Sequence, residues 1–171
     1  MRFIDAPQPA PSPSASAIRG RTVFSNIGCD LCHTPQMQTA PVLNSAVLQN
    51  RPVNLFSDLL VHHMGAGLAD NIIQTFAGPD EFRTTPLWGI GQRMFFLHDG
   101  RTSDLLAAIQ AHYSAATQTS VSGTVDTLGL LIGLSATNNG YPASEANAVI
   151  QNFNALSASD KQAILDFLRS L

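Results

Sequence analysis

The five residues Cys29-Asp30-Leu31-Cys32-His33 constrain this chain more than any other feature of its sequence. Two thiols at this spacing can join the two vinyl groups of one haem, and the adjacent imidazole can coordinate the iron from one face. A chain with this motif has to fold around a large, flat and mostly apolar group. We therefore predict one haem c, bound covalently through Cys29 and Cys32, with His33 as an iron ligand.

Two other kinds of site also contain a Cys-x-x-Cys pair. A thioredoxin-like redox pair belongs in a βαβ setting, which this sequence does not indicate. A structural zinc site needs four ligands, commonly from two Cys pairs, and the chain has only these two cysteines. The complete five-residue pattern favours the haem over both alternatives.

Composition narrows the class of protein. Apolar residues make up 44 % of the 171 residues and charged residues only 12 %. A haem lining or a large contact with a partner chain explains such a low charge content, and the sequence does not separate the two. With nine Lys and Arg residues and a net charge of −3, the chain lacks the basic cluster that nucleic-acid binding requires. We also predict no membrane span, because no apolar run approaches the required length of about 18 residues.

The expected organisation is an extension followed by one domain. Residues 1–16 are rich in Pro and Ser and are typical of a linker or N-terminal extension. Residues 17–171 are predicted to form one cytochrome c-like domain, in which segment 115–142, poor in charge and rich in Gly, Ser and Thr, is an insertion. Haem is normally attached outside the cytoplasm, so we expect a periplasmic or otherwise extracytoplasmic protein. Residues 1–4 lead into the linker without an apolar signal core, so we expect the natural precursor to start further upstream.

Helical periodicity and caps predict an all-α fold with long loops around the haem. The expected helices run from Ser16 to Gly28, over 54–63, after Thr102 or Ser103, from Ser144, and from a capping box at Ser159 and Gln162. In cytochrome c folds the first and last helices cross where a glycine permits close approach and an aromatic residue packs. Gly20, Phe24 and Phe167 fit that arrangement.

Three further segments carry a resemblance to a known family. They are residues 63–70 (HMGAGLAD), 81–89 (EFRTTPLWG) and 96–101 (FLHDGR). With the haem motif, they resemble the C-terminal haem domain of the di-haem oxidoreductases, the thiol oxidoreductase proteins related to bacterial di-haem cytochrome c peroxidase and MauG. The resemblance covers about residues 17–114 and the closing helices. It implies a protein with two haems, one for peroxide or oxidase chemistry and one for electron relay, whereas this chain has a single haem motif.

The resemblance also implies a candidate for the sixth iron ligand. In the related peroxidases a ligand Met lies on the helix that follows the His-Asp-Gly tripeptide, and His112 occupies the corresponding position here. We therefore predict coordination of the iron by His33 and His112. Met64 is the alternative, because its glycine-rich surroundings would let the backbone approach a haem. Both residues also have an ordinary explanation, a surface position for His112 and core packing for Met64.

Other residues are candidates for the haem pocket. His63 belongs to the family-like motif, and Trp88 is suited to line the haem. His98 lies beside a carboxylate that can fix its imidazole, so it is a candidate for a structural or propionate-side contact. Three arginines are candidates to neutralise the negative charge of the haem propionates: Arg83, Arg93 and Arg101. The alternatives are core packing of the Trp, a simple turn at His98 and Asp99, and solvation of the arginines.

These observations support three hypotheses on function. The first is an electron-transfer cytochrome, or the electron-relay domain or subunit of a larger oxidoreductase. The second is a haem peroxidase or oxidase, and the single haem motif leaves enzymatic activity open. The third is a structural haem module in an assembly. The expected partners are a redox protein or a second haem domain, within an oligomer or complex.

Overall fold

The computed structural model describes residues 12–41, 47–117, 120–125, 131–137 and 140–171. In these ranges the helices are α1 (Ala15–Asn26), α2 (Leu105–Gln110), α3 (Asn147–Ala155) and α4 (Ala158–Arg169). The strands are β1 (Met37–Gln38), β2 (Pro52–Val53), β3 (Val61–His63), β4 (Glu81–Arg83), β5 (Ser120–Val125) and β6 (Leu131–Thr137). They pair as β1–β2, β3–β4 and β5–β6. The β5–β6 pair is antiparallel, with Ser120 opposite Thr137 and Val125 opposite Leu131.

The all-α prediction is wrong, because the chain combines helices with small sheets. Strands β1 to β4 have two or three residues each, too few for any alternation of apolar and polar residues to be visible in the sequence. Strands β5 and β6 lie in the stretch predicted as an insertion, where Gly and Ser interrupt the β-branched residues that favour strands. Whether 115–142 is an insertion stays a prediction.

The chain divides into two compact units. The first contains Met1–Val61, Arg83–Gln110 and Ala148–Leu171, and the second contains His62–Phe82 and Ala111–Asn147. Of the helices in the described ranges, α1, α2 and α4 fall in the first unit, and so does α3 apart from its first residue, Asn147. The second contains the β5–β6 hairpin and most of β3 and β4. The linker predicted for residues 1–16 lies mainly outside the described residues.

Helices α1 and α4 pack closely in the first unit. A Cβ atom on Gly20 would lie 1.8 Å from the carbonyl oxygen of Ala163, so only glycine permits this approach. One turn further along α1, the Phe24 ring meets Phe167 edge to face, with ring centroids 5.4 Å apart. The predicted crossing at Gly20, Phe24 and Phe167 is confirmed. Phe24 and Phe167 belong to one apolar core that also includes Phe56, Phe153, Ile164 and Leu168.

The helix ends differ from several predictions. Helix α1 begins after Ser14, whose side chain accepts a hydrogen bond from the backbone N–H of Ala17. The N-cap of α4 is Ser157, not Ser159, so the predicted capping box is wrong. The helix predicted over 54–63 is also wrong, because Phe56 and Leu59 have φ angles of 51° and 60°, which an α-helix cannot contain. Among the described residues no helix is both long and apolar enough to cross a membrane.

Candidate haem site

The haem motif begins at a sharp exit from α1. Gly28 adopts a φ of 98°, a conformation that L-residues rarely take, and the chain then makes one 3₁₀ turn over Cys29–Leu31. The backbone N–H of His33 donates to the carbonyl oxygen of Cys29 over 2.9 Å, which closes the motif on itself. The two thiols and the imidazole are therefore presented by one short, hydrogen-bonded segment.

No disulfide joins Cys29 and Cys32. Burial raises the pKa of Cys29 to about 12, and the neighbouring Asp30 carboxylate adds to the rise. Cys29 is therefore a neutral thiol near pH 7. A redox-active Cys-x-x-Cys pair needs the opposite, a thiol pKa lowered toward neutrality, so the thioredoxin-like alternative does not fit this environment.

The imidazole of His33 is oriented by a backbone carbonyl. Its Nδ1 lies 3.0 Å from the carbonyl oxygen of Phe56. A carbonyl oxygen can only accept, so Nδ1 carries the proton and Nε2 carries the lone pair that a metal takes. The ring also lies beside Phe24, with ring centroids 6.2 Å apart, and is thus tied to the helix crossing.

The predicted pocket residues of the first unit begin at Arg83, the last residue of β4, and continue along the segment that follows it. Trp88 is half-buried, whereas Arg83, Arg93 and His98 are exposed. The guanidinium Nη2 of Arg93 donates to the Pro86 carbonyl over 3.5 Å.

Arg101 is paired within its own turn. Its Nε lies 2.6 Å from a carboxylate oxygen of Asp99. Although desolvation acts in the opposite direction, this hydrogen bond and charge hold the pKa of Asp99 below its ordinary value, and His98 adds a favourable charge interaction. The contact predicted between the haem propionates and Arg83, Arg93, Arg101 or His98 stays a prediction.

In the second unit, histidines and carboxylates form a cluster. His63 Nδ1 lies 3.0 Å from Oδ2 of the buried Asp80, and this hydrogen bond raises the pKa of His63. His62 Nδ1 lies 2.7 Å from Oε2 of Glu145, and that hydrogen bond lowers the pKa of Glu145. His62 and His63 therefore lie on strand β3 and not on the helix predicted over 54–63. Each imidazole is hydrogen-bonded to a carboxylate.

The two candidates for the sixth ligand are also in the second unit. Met64 is 9 % exposed, and its backbone N–H donates to the Asp80 carbonyl over 2.8 Å. His112 is half-buried just after α2, and its carbonyl oxygen accepts a hydrogen bond of 2.6 Å from the Ser144 hydroxyl. Coordination of the iron by either residue stays a prediction.

Comparison with known proteins identifies the family. The profile of a family described as "Di-haem oxidoreductase, putative peroxidase" matches residues 5–124, which is most of the chain. The chain belongs to the di-haem oxidoreductase family. Comparisons with curated proteins and with solved structures found no match.

Family membership establishes a haem-based redox function for this chain, and the site's geometry fits the group. The His33 imidazole, with its tautomer fixed by the Phe56 carbonyl, lies beside Phe24, and Cys29 packs against the same apolar core. Cys29 and Cys32 would hold the haem, and His33 would coordinate the iron through Nε2.

Sequence reasoning missed Phe56 and Ser57. Phe56 acts through its backbone carbonyl, which every residue possesses, so no residue type marks this role. Ser57 is fully buried, and a serine between Phe56 and Asp58 gives no sign of that in the sequence. Only the tertiary contacts of the segment show that it supports His33.

Proposed function

We propose that this chain binds one c-type haem covalently through Cys29 and Cys32 and passes electrons through it. The observation that carries the proposal is the 3.0 Å contact between His33 Nδ1 and the Phe56 carbonyl, which orients the imidazole and supports its role as an iron ligand. The haem would supply one-electron chemistry at its iron, and this chain's residues anchor the group and set its axial ligand field.

The electron-relay role follows from the number of haem motifs. Members of the family are di-haem proteins by description, whereas the 171 residues contain one Cys-x-x-Cys-His. We infer that the chain supplies the relay haem, and that His112 is the sixth ligand of a closed, low-spin iron. A closed iron transfers electrons without binding peroxide. Met64 is the alternative ligand.

The difference between a di-haem family and the single haem motif of this chain also supports a proposal about partners. A second haem domain, or another redox protein in an extracytoplasmic compartment, would complete the function that the family description implies. The low charge content of the chain is compatible with such a contact, because the centres of protein interfaces are depleted of charge.

Optical spectroscopy of the haem-loaded protein tests the proposal. We expect low-spin spectra in both oxidation states, without the weak red band typical of Met–iron coordination, and no change on addition of peroxide. The haem should stay with the polypeptide after denaturation in acid and organic solvent, and replacement of both cysteines by alanine should release it. Loss of haem from the denatured wild-type protein would contradict covalent attachment.

The family description favours a peroxidase as the second candidate function. A peroxidase needs an open or displaceable iron position. A high-spin ferric spectrum that shifts on addition of peroxide, with oxidation of a reducing substrate, would replace electron relay by this activity.

A further inference from the structure

The carbonyl group that orients His33 belongs to a residue with an unusual backbone. Phe56 has a φ of 51°, in the left-handed region that a bulky side chain rarely occupies. Such a conformation persists only where the surrounding structure imposes it. In an ordinary extended or helical conformation, the Phe56 carbonyl would point elsewhere and His33 Nδ1 would lose its acceptor.

Backbone hydrogen bonds tie this segment to the residues that follow the haem motif. The N–H of Ser57 donates to the Thr34 carbonyl over 2.9 Å, and the N–H of Asp58 donates to the Cys32 carbonyl over 2.8 Å. These two bonds lie on either side of His33 in the sequence. They bring Phe56 alongside the imidazole, and the bond from Ser57 also constrains the Phe56 carbonyl, because this carbonyl and the Ser57 N–H belong to one planar peptide unit.

The side chain of Ser57 adds a second constraint on the same peptide unit. It is 0 % exposed, and its hydroxyl donates to the Thr84 carbonyl over 2.7 Å and accepts from the Leu59 N–H over 2.9 Å. Leu59 also has a positive φ, of 60°. The hydroxyl therefore acts as a clamp: it ties the turn that contains Phe56 and Leu59, both left-handed, to Thr84 in the segment after β4.

We propose that Ser57 is a positioning residue for the axial histidine. Its buried hydroxyl holds Phe56 in the left-handed conformation that aims the Phe56 carbonyl at His33 Nδ1, and thereby sets the electron donation of His33 to the iron. This inference rests on the haem site of the proposed function and adds to it a determinant of the reduction potential. A strong acceptor at Nδ1 makes the imidazole a better donor and favours ferric iron, so loss of the clamp should raise the potential.

The decisive variant is Ser57→Ala, studied in the haem-loaded protein. We expect a higher midpoint potential than in the wild type. We also expect several-fold faster exchange of the His33 Nδ1 proton with deuterium, followed by NMR of the diamagnetic ferrous form, because the hydrogen bond that protects this proton is weakened. Ser57→Thr keeps the hydroxyl, so its potential should return to the wild-type value even if the extra methyl group lowers stability.

Ser170→Ala is the matched control. The Ser170 hydroxyl also donates to a backbone carbonyl of the first unit, that of Phe167, over 2.6 Å. This variant should leave both the potential and the proton exchange unchanged. If Ser57→Ala folds poorly, Ser57→Cys replaces it, since a thiol of similar size donates weakly and should move the potential in the same direction by a smaller amount.

A merely structural role of Ser57 would give a different result. Ser57→Ala would then melt at a lower temperature while its potential and Nδ1 exchange matched the wild type, which would overturn the inference. That failure is distinct from failure of the proposed function, in which the wild-type protein itself would lack a covalent haem or would react with peroxide.

Discussion

Phe24 connects the haem motif to the packing of the first unit. It is 4 % exposed and contacts both His33 and Phe167. Aromatic pairs of this kind contribute about 0.5–1.5 kcal/mol beyond the burial of their surface. The stability of the site should therefore depend on this ring more than on the charged residues nearby.

Phe24→Leu should lower the free energy of unfolding by about 1–2 kcal/mol, because leucine keeps most of the apolar volume but loses the edge-to-face contact. Denaturant titration of the haem-loaded protein measures this change. Phe76→Leu is the control, since Phe76 is 99 % exposed and its replacement should change stability by less than about 0.5 kcal/mol. Equal effects of the two substitutions would contradict the assignment of Phe24 to the core.

The crossing of α1 and α4 depends on the absence of a side chain at Gly20. Alanine is the better helix former by about 1 kcal/mol, yet its Cβ would overlap the Ala163 carbonyl. We expect Gly20→Ala to lower the free energy of unfolding by about 2–3 kcal/mol, because the two helices must move apart. Thr22→Ala, at an exposed position of α1, should be neutral within about 0.5 kcal/mol in the same titration. A neutral Gly20→Ala would show that the helices are not in such close contact.

The stability of the packed helices α1 and α4 should depend on pH through two carboxylates of α4, those of Asp160 and Asp166. The Ser157 hydroxyl and then Arg19 lower the pKa of Asp160, and the Ser16 hydroxyl and then Gln162 lower the pKa of Asp166, both below the ordinary 3.8. A carboxylate whose pKa is lower in the folded than in the unfolded protein stabilises the folded state at pH values above its unfolded pKa. This stabilisation is lost as the pH falls through the pKa of the folded state.

The thermal midpoint should therefore fall when the pH is lowered from about 6 to about 3. Ser16→Ala removes the 2.6 Å hydrogen bond to Asp166, and Arg19→Gln removes the ion pair with Asp160. In a variant with both substitutions, the thermal midpoint should fall by fewer degrees over this pH range than it does in the wild type. If both proteins lose the same amount, other groups dominate the acid sensitivity.

The sixth iron ligand is a property of the haem-loaded molecule as a whole. If His112 is that ligand, His112→Met should raise the midpoint potential and introduce the red absorption band of Met–iron coordination, because methionine favours ferrous iron. Redox titration and optical spectra measure both changes. If Met64 is the ligand instead, the wild type already shows this band, His112→Met has no effect and Met64→Leu removes the band.

The fold could be predicted from the sequence only where local signals were strong. Helices α1 and α4 carry apolar periodicity, and their crossing follows from Gly20 and the two phenylalanines, although their N-caps, Ser14 and Ser157, were not predicted. The strands escaped prediction because the first four have two or three residues each. The false helix over 54–63 has an apolar pattern, but tertiary hydrogen bonds hold Phe56 and Leu59 in left-handed conformations.

The amino-acid sequence alone was enough for the chemistry of the site. Thiols and an imidazole at a fixed spacing predict a haem ligand set, because their reactivity belongs to the residue types themselves. The orientation of His33 depends instead on the Phe56 carbonyl and on the buried Ser57, which lie more than twenty positions further along the chain. A backbone carbonyl acquires such a role only when folding aims it at a partner, so this part of the site could be found only in three dimensions.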